Sequence, residues 1–159
     1  MHLLVAEPGK IDGAEAVDLG QSQGDVVVLT AADTEIAALA AARQRQGEGP
    51  SLRLANPGRL QHNLSVDIHV DAVVASAKLV VVRLLGGRAY WPYGVDRIVE
   101  ICRDGRIPLA LLPGDDRPDP ELASMSTLRP DDANRLWRYL IEGGVENAER
   151  FLGMASHLI

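Results

Sequence analysis

Five short apolar runs, Leu3–Ala6, Asp25–Thr30, Ser51–Ala55, Lys78–Leu85 and Ile107–Leu112, constrain the fold more than any other feature of the sequence. Together they are continuous rather than alternating, and mostly β-branched or Leu. A strand wetted on one face alternates apolar with polar residues; a strand covered on both faces does not. Runs of this kind belong to parallel sheets, whose crossovers place helices on both faces.

The intervening segments supply the crossovers. Asp33–Gln46 reads as a helix, with Asp33 as its cap and Ile36, Leu39 and Ala40 on one face. Val66–Ala77 reads as a second, capped by Ser65, although Val66, Ile68 and Val70 also alternate like a strand. Pro92–Arg103 is a third, with Pro92 in its first turn and a stripe of Val95, Ile98, Val99 and Cys102. Glu7–Gly24 has no helical stripe and reads as a loop. The Pro/Gly/Asp-rich stretch from Pro113 to Pro120 reads as irregular. Two helices follow. Pro130–Glu142 has Asp131 and Asp132 complementing its dipole and Gly143-Gly144 as a stop. Val145–Ile159 repeats Val145, Ala148, Leu152, Ala155 and Ile159 as a seam widened by Phe151, Met154 and Leu158. A helix this apolar either packs on the sheet or is covered by further chain. The expected fold is α/β, a five-stranded, mainly parallel Rossmann/flavodoxin-like sheet with flanking helices and a C-terminal helical pair. Residues 1–125 form the sheet domain, and 126–159 form helices leading into the rest of a longer chain.

With 159 residues there is room for one ordinary core, and six aromatic residues make that core aliphatic. A net charge of −6, from 22 acidic against 16 basic residues, argues against nonspecific nucleic-acid binding. No basic run addresses an anionic membrane, and no apolar stretch is long enough to span one. The single cysteine, Cys102, excludes an intrachain disulfide or a cysteine zinc cluster and fits a cytoplasmic location.

In open parallel sheets, ligands gather outside the carboxyl ends of the strands. The loops there begin Glu7-Pro8-Gly9-Lys10, Asp33-Thr34, Asn56-Pro57-Gly58-Arg59, Gly86-Gly87-Arg88 and Pro113-Gly114-Asp115-Asp116-Arg117. The fourth is the least ordinary. Arg83 and Arg88 flank a glycine pair, and Tyr90, Trp91 and Tyr93 follow. Guanidinium pairs bidentately with carboxylate, and aromatic faces suit a flat ring, so this loop fits a large acid-bearing macrocycle. The alternative is an ion pair from Arg88 to Asp115 or Asp116, with the aromatics packing a lid or an interface. Asp115 and Asp116 read as a turn with solvated charge rather than as paired catalytic carboxylates. His2, His62, His69 and His157 form no metal-ligand spacing, and Cys102 lies on an apolar stripe. A phosphate loop, a dinucleotide fingerprint and a nucleophile elbow are all missing from the sequence.

The run Leu79–Gly94, VVVRLLGGRAYWPYG after its first residue, resembles the N-terminal region of the large subunits of ATP-dependent cobaltochelatases and the related magnesium chelatases. So do Ile107–Leu122, the opening Met1-His2-Leu3-Leu4-Val5, and Leu136–Leu140. The resemblance implies a piece of a tetrapyrrole-binding subunit. Its substrates would be cobalt and a corrin precursor, hydrogenobyrinic acid a,c-diamide, in cobalamin biosynthesis. Two smaller subunits, one an AAA+ ATPase, would be its partners, with ATP and magnesium bound there. Arg83, Arg88, Tyr90, Trp91, Asp115 and Asp116 become the candidates for contacting substrate or a neighbouring domain. No catalytic or metal-binding residue is assigned within the chain, and the isolated domain is expected to be inactive. A non-catalytic docking module of the same complex is the rival expectation.

Overall fold

The computed structural model describes residues 2–9 and 13–159. Met1 and Lys10, named above in the opening motif and the first loop, lie outside the described residues.

The strands are β1 (Leu3–Val5), β2 (Val26–Thr30), β3 (Leu52–Ala55), β4 (Leu79–Leu84) and β5 (Leu109–Pro113). They form one sheet in the order β1-β3-β2-β4-β5, and every pair is parallel. Successive side chains point to opposite faces, and both faces are covered. Val26 and Val28 enter one core with Leu52, Leu54, Val81 and Leu112, while Val27 and Leu29 enter the other with Val80, Val82 and Leu111. Double burial explains the continuous runs of β2, β4 and β5, whereas β1, at the sheet edge, is only half-buried and its Val5 is exposed, contrary to the expectation of a covered strand.

Helix α1 (Asp33–Gln46) covers the first face together with α5 (Pro130–Glu142) and α6 (Gly144–Leu158). Helices α2 (Asn63–His69), α3 (Pro92–Gly105) and α4 (Pro120–Met125) cover the second. The apolar seam of α6 buries Ala148, Phe151, Leu152 and Ala155 against that first core, whereas Ile159 is exposed. The terminal helix thus packs onto the domain through α1 and α5.

Three local expectations change. Asp33 does not cap α1; its carboxylate accepts from Gly9 N and Asn56 Nδ2, both at 3.0 Å, and so ties together the ends of three strands. α2 begins three residues before Val66. His62 Nδ1 caps it by accepting from Leu64 N, while the Ser65 hydroxyl accepts from Val17 N at 2.7 Å. The helix then widens into a π turn over Val70–Val74. Finally, Pro120 opens a helix, α4, whose cap is Asp119 accepting from Leu122 N. An Asp-Pro pair at cap and first turn was the signal for it.

The described part of the loop from 7 to 24 contains no helix or strand. Beneath it β3 presents Arg53, not an apolar residue. Its guanidinium donates to the carbonyls of Ser22 and Gln23, both at 2.7 Å, satisfying loop backbone that no ladder reaches. At the opposite edge, Ser126–Leu128 closes β5. Leu109 N and Leu111 N donate to Thr127 Oγ1 and Ser126 Oγ, and Thr127 N and Leu128 N donate to Leu109 O. That edge has few groups left for strand pairing.

Candidate functional site at the carboxyl ends of the strands

β2 continues through α1 to β3 on one side, and β4 through α3 to β5 on the other. The carboxyl ends of β2 and β4 therefore form the topological switch point, where ligands of doubly wound sheets usually bind. Here the crevice is occupied by the protein itself. Arg83, from β4, forms an ion pair with Glu35 in the first turn of α1, with side chains only 7% and 12% exposed. Thr30 Oγ1 donates to Glu35 Oε1 at 2.7 Å. Arg83 Nε donates to Pro113 O at 2.8 Å, and Nη2 donates to Asp115 O at 3.3 Å. Burial lowers the Arg83 pKa, and nearby Asp115 opposes that shift. Arginine stays charged regardless. The remaining cavity is about 100 Å³ and includes Leu85 and Gly114 in its wall. A drug-sized ligand needs roughly 300 Å³ or more.

The glycine-arginine-aromatic loop rises beside this plug. Gly86 and Gly87 have φ of 89° and 70°, backbone that an L side chain rarely adopts, and a Cβ on Gly87 would meet Asp119 Oδ2 at 2.6 Å. The glycine pair thus turns the chain sharply against the α4 cap. Arg88 then reaches forward to α3, with Nε and Nη2 donating to the two carboxylate oxygens of Asp96 at 3.0 and 2.6 Å. This bidentate pairing holds the Asp96 pKa below its ordinary value and raises that of Arg88. The partner of Arg88 is Asp96, not Asp115 or Asp116. Asp115 Oδ1 instead accepts from Arg117 N, while Asp116 is exposed.

The aromatics divide. Trp91 is 5% exposed and donates from Nε1 to Leu60 O at 2.9 Å. Its ring lies against Gly94, where any Cβ would meet ring carbons at 2.0–2.3 Å. Tyr93 donates to the carboxylate of Asp67, which also accepts from Arg97, joining α2 to α3; these bonds hold the Asp67 pKa low. Tyr90 remains 40% exposed and Leu85 58%. The structure gathers Arg83 and Asp115 into one network and leaves Arg88, Tyr90 and Leu85 on the accessible rim. Glu35 and Asp96, the carboxylates that complete the site, were missed by sequence reasoning because nothing in their local pattern marks them.

Among the described residues no group of three or more His, Cys, Asp or Glu side chains can hold a metal ion, and no helix is long and apolar enough to cross a membrane. His69 is 4% exposed with Nε2 unpartnered, and desolvation pushes its pKa down to about 4. Burial pushes the Cys102 thiol up to about 12.

No protein-family model matches the chain. Two curated relatives do. The aerobic cobaltochelatase subunit CobN of a Sinorhizobium species is 48% identical over 160 residues, and CobN of Pseudomonas aeruginosa is 43% identical over 153 residues. The alignments take in 100% and 95% of this chain, which spans only 12% of the length of either relative. Across nearly its whole length, the chain is homologous to one segment of the aerobic cobaltochelatase subunit CobN, within the chelatase family that its sequence resembles.

Proposed function

We propose that the chain serves, as part of a CobN-type subunit, in the insertion of cobalt into a corrin precursor, hydrogenobyrinic acid a,c-diamide, during cobalamin biosynthesis. The observation that carries this reading is the 43–48% identity to two CobN subunits along the length of the chain. Catalysis would be completed by the remainder of such a subunit in the cytoplasm. ATP and magnesium would bind at a partner ATPase, one of two smaller subunits, so the isolated chain would not insert metal.

Within this reading, the rim at the carboxyl ends of the strands forms one wall of the corrin cavity. Tyr90 and Leu85 supply an apolar face for the macrocycle, and Arg88 exchanges its exposed partner Asp96 for a side-chain acid of the corrin. Arg83, Trp91 and Asp115 hold the wall from behind, and Asp116 lies on its exposed border. The test is a titration of the chain with the metal-free corrin substrate, followed by absorbance and tryptophan fluorescence, with Arg88→Ala alongside. Saturable binding that the variant loses is the expected result. Equal binding by both proteins would remove Arg88 from the wall.

One observation favours a second reading, docking against a neighbouring domain. The rim arginine Arg88 and the buried Arg83 beneath it are already neutralised by carboxylates of the chain, while Val5, Leu64, Leu85 and Tyr90 at the same pole are 40–58% exposed. If so, Arg88→Ala in an assembled chelatase lowers complex formation and leaves corrin affinity intact.

A further inference from the structure

We propose that the opposite pole of the sheet carries a binding site for small organic polycarboxylates with an apolar body, held by Arg103, Arg106 and Arg129. A cleft of about 450 Å³ lies between the end of α3, the lead into β5 and the start of α5. Its size falls within the range of roughly 300–1,000 Å³ common to small-molecule sites. Ile107, Pro108 and Leu128 give it an apolar surface, and the three arginines stand on its walls.

These three arginines line one cleft, whereas five elsewhere are engaged by carboxylates. Arg45, Arg59, Arg83, Arg88 and Arg97 each form an ion pair with a carboxylate of the chain. Arg103, Arg106 and Arg129 are exposed, and their guanidinium groups have no hydrogen-bonding or ionic partner among the described residues. One carboxylate, Asp132, shares the cleft with the three guanidinium groups, so a local positive excess persists in a chain of net charge −6. The backbone supplies an independent observation. α3 ends with Arg106 in the left-handed region at φ 53°, the only non-glycine residue with positive φ among those described. Glycine is the ordinary occupant of that helix-end position. An arginine held there, at the mouth of a cleft, is strain located where a ligand would use the side chain.

The chemistry favours carboxylate on a hydrophobic skeleton. A guanidinium fork matches a carboxylate bidentately, and three forks around an apolar floor suit several acids carried by one ring or short chain. Nothing in the cleft offers an aromatic platform for nucleic-acid bases.

Calorimetric titration of the chain with benzene-1,3,5-tricarboxylate at low salt tests the site, with citrate and inorganic phosphate as parallel probes. The expected result is one-site binding of the ring acid, weaker binding of citrate, and weaker still of phosphate. Arg106→Gln and Arg129→Gln, both at exposed positions, each weaken it roughly tenfold or more, while Arg150→Gln, on α6 and outside both sites, changes nothing. The proposal is overturned if the ring acid fails to saturate natively folded protein by about 10 mM, or if the cleft variants bind as the parent does. Phosphate binding as tightly as the ring acid would also overturn it. The outcome is independent of corrin binding at the rim, because a different probe and different arginines are read.

Discussion

At the carboxyl ends of the strands, Arg83 and Arg88 are each held by a carboxylate of the chain, Glu35 and Asp96; at the amino ends, Arg103, Arg106 and Arg129 border a cleft without such partners among the described residues. Burial accounts for much of the contrast. The Arg83 side chain is 7% exposed, and a guanidinium taken that far from water requires a counter-charge and filled hydrogen bonds. The arginines of the cleft are exposed and keep their hydration, so folding does not oblige them to pair. Arg88 lies between these cases, its side chain 37% exposed yet bidentately paired. The switch point where doubly wound sheets usually bind ligands satisfies its own buried arginine, and the cleft at the amino ends has charge to spare.

Breaking the buried pair should have the largest effect. Glu35→Ala leaves Arg83 uncompensated at the switch point and should lower unfolding free energy by about 3–5 kcal/mol. Adding Arg83→Met should recover much of that loss, since two apolar residues remove the orphaned charge. Urea denaturation of the two variants reads both effects. A loss below about 1 kcal/mol in the single variant would mean that the crevice is wetter than its geometry indicates.

His69 sharpens the rule from the other direction, because it is buried without a partner at Nε2. Its pKa falls from 6.5 to about 4 on folding, so between those values the unfolded chain binds more protons. Stability should therefore decline as pH drops from 6.5 towards 4, by an amount on the order of 3 kcal/mol from this group. Above pH 6.5 the group should contribute no slope. Denaturation midpoints across that window, compared with His69→Gln, isolate the contribution; parallel pH curves for the two proteins would refute it.

The smallest effect on folding belongs to the exposed pair. Asp96→Asn should leave the denaturation midpoint nearly unmoved while freeing Arg88, making the rim resemble the cleft. Under the corrin-wall reading, the freed guanidinium binds the substrate acid more tightly than in the parent, measured by the same fluorescence titration. Weaker binding would show that Asp96 positions Arg88 instead of competing for it.

Much of the fold was legible because double burial writes itself into sequence. Val26–Thr30 and Leu79–Leu84 carry apolar side chains to both faces, so their runs declare covered strands. α1 and α5 also begin and end where their patterns do. What stayed hidden was set by distant contacts. Ser65 looks like a cap, yet its hydroxyl serves Val17, 48 residues earlier in the chain. The loop after β4 announced its location through Gly86-Gly87-Arg88, but the partner of Arg83 comes from another crossover and that of Arg88 from eight residues ahead. Trp91 looked like a ligand platform because aromatic type is visible in sequence while its bond to Leu60 is not. The cleft arginines are split between two helix ends, and only Arg106, where glycine is customary, left a local trace.

The contrast between the two poles is tested most directly by following the arginine Nε–H signals in nitrogen-15 spectra while the ring tricarboxylate is added. The account predicts that signals of Arg103, Arg106 and Arg129 shift together and saturate, while Arg83 and Arg88 hold their positions. Shifts at Arg88 with the three cleft arginines unmoved would contradict it.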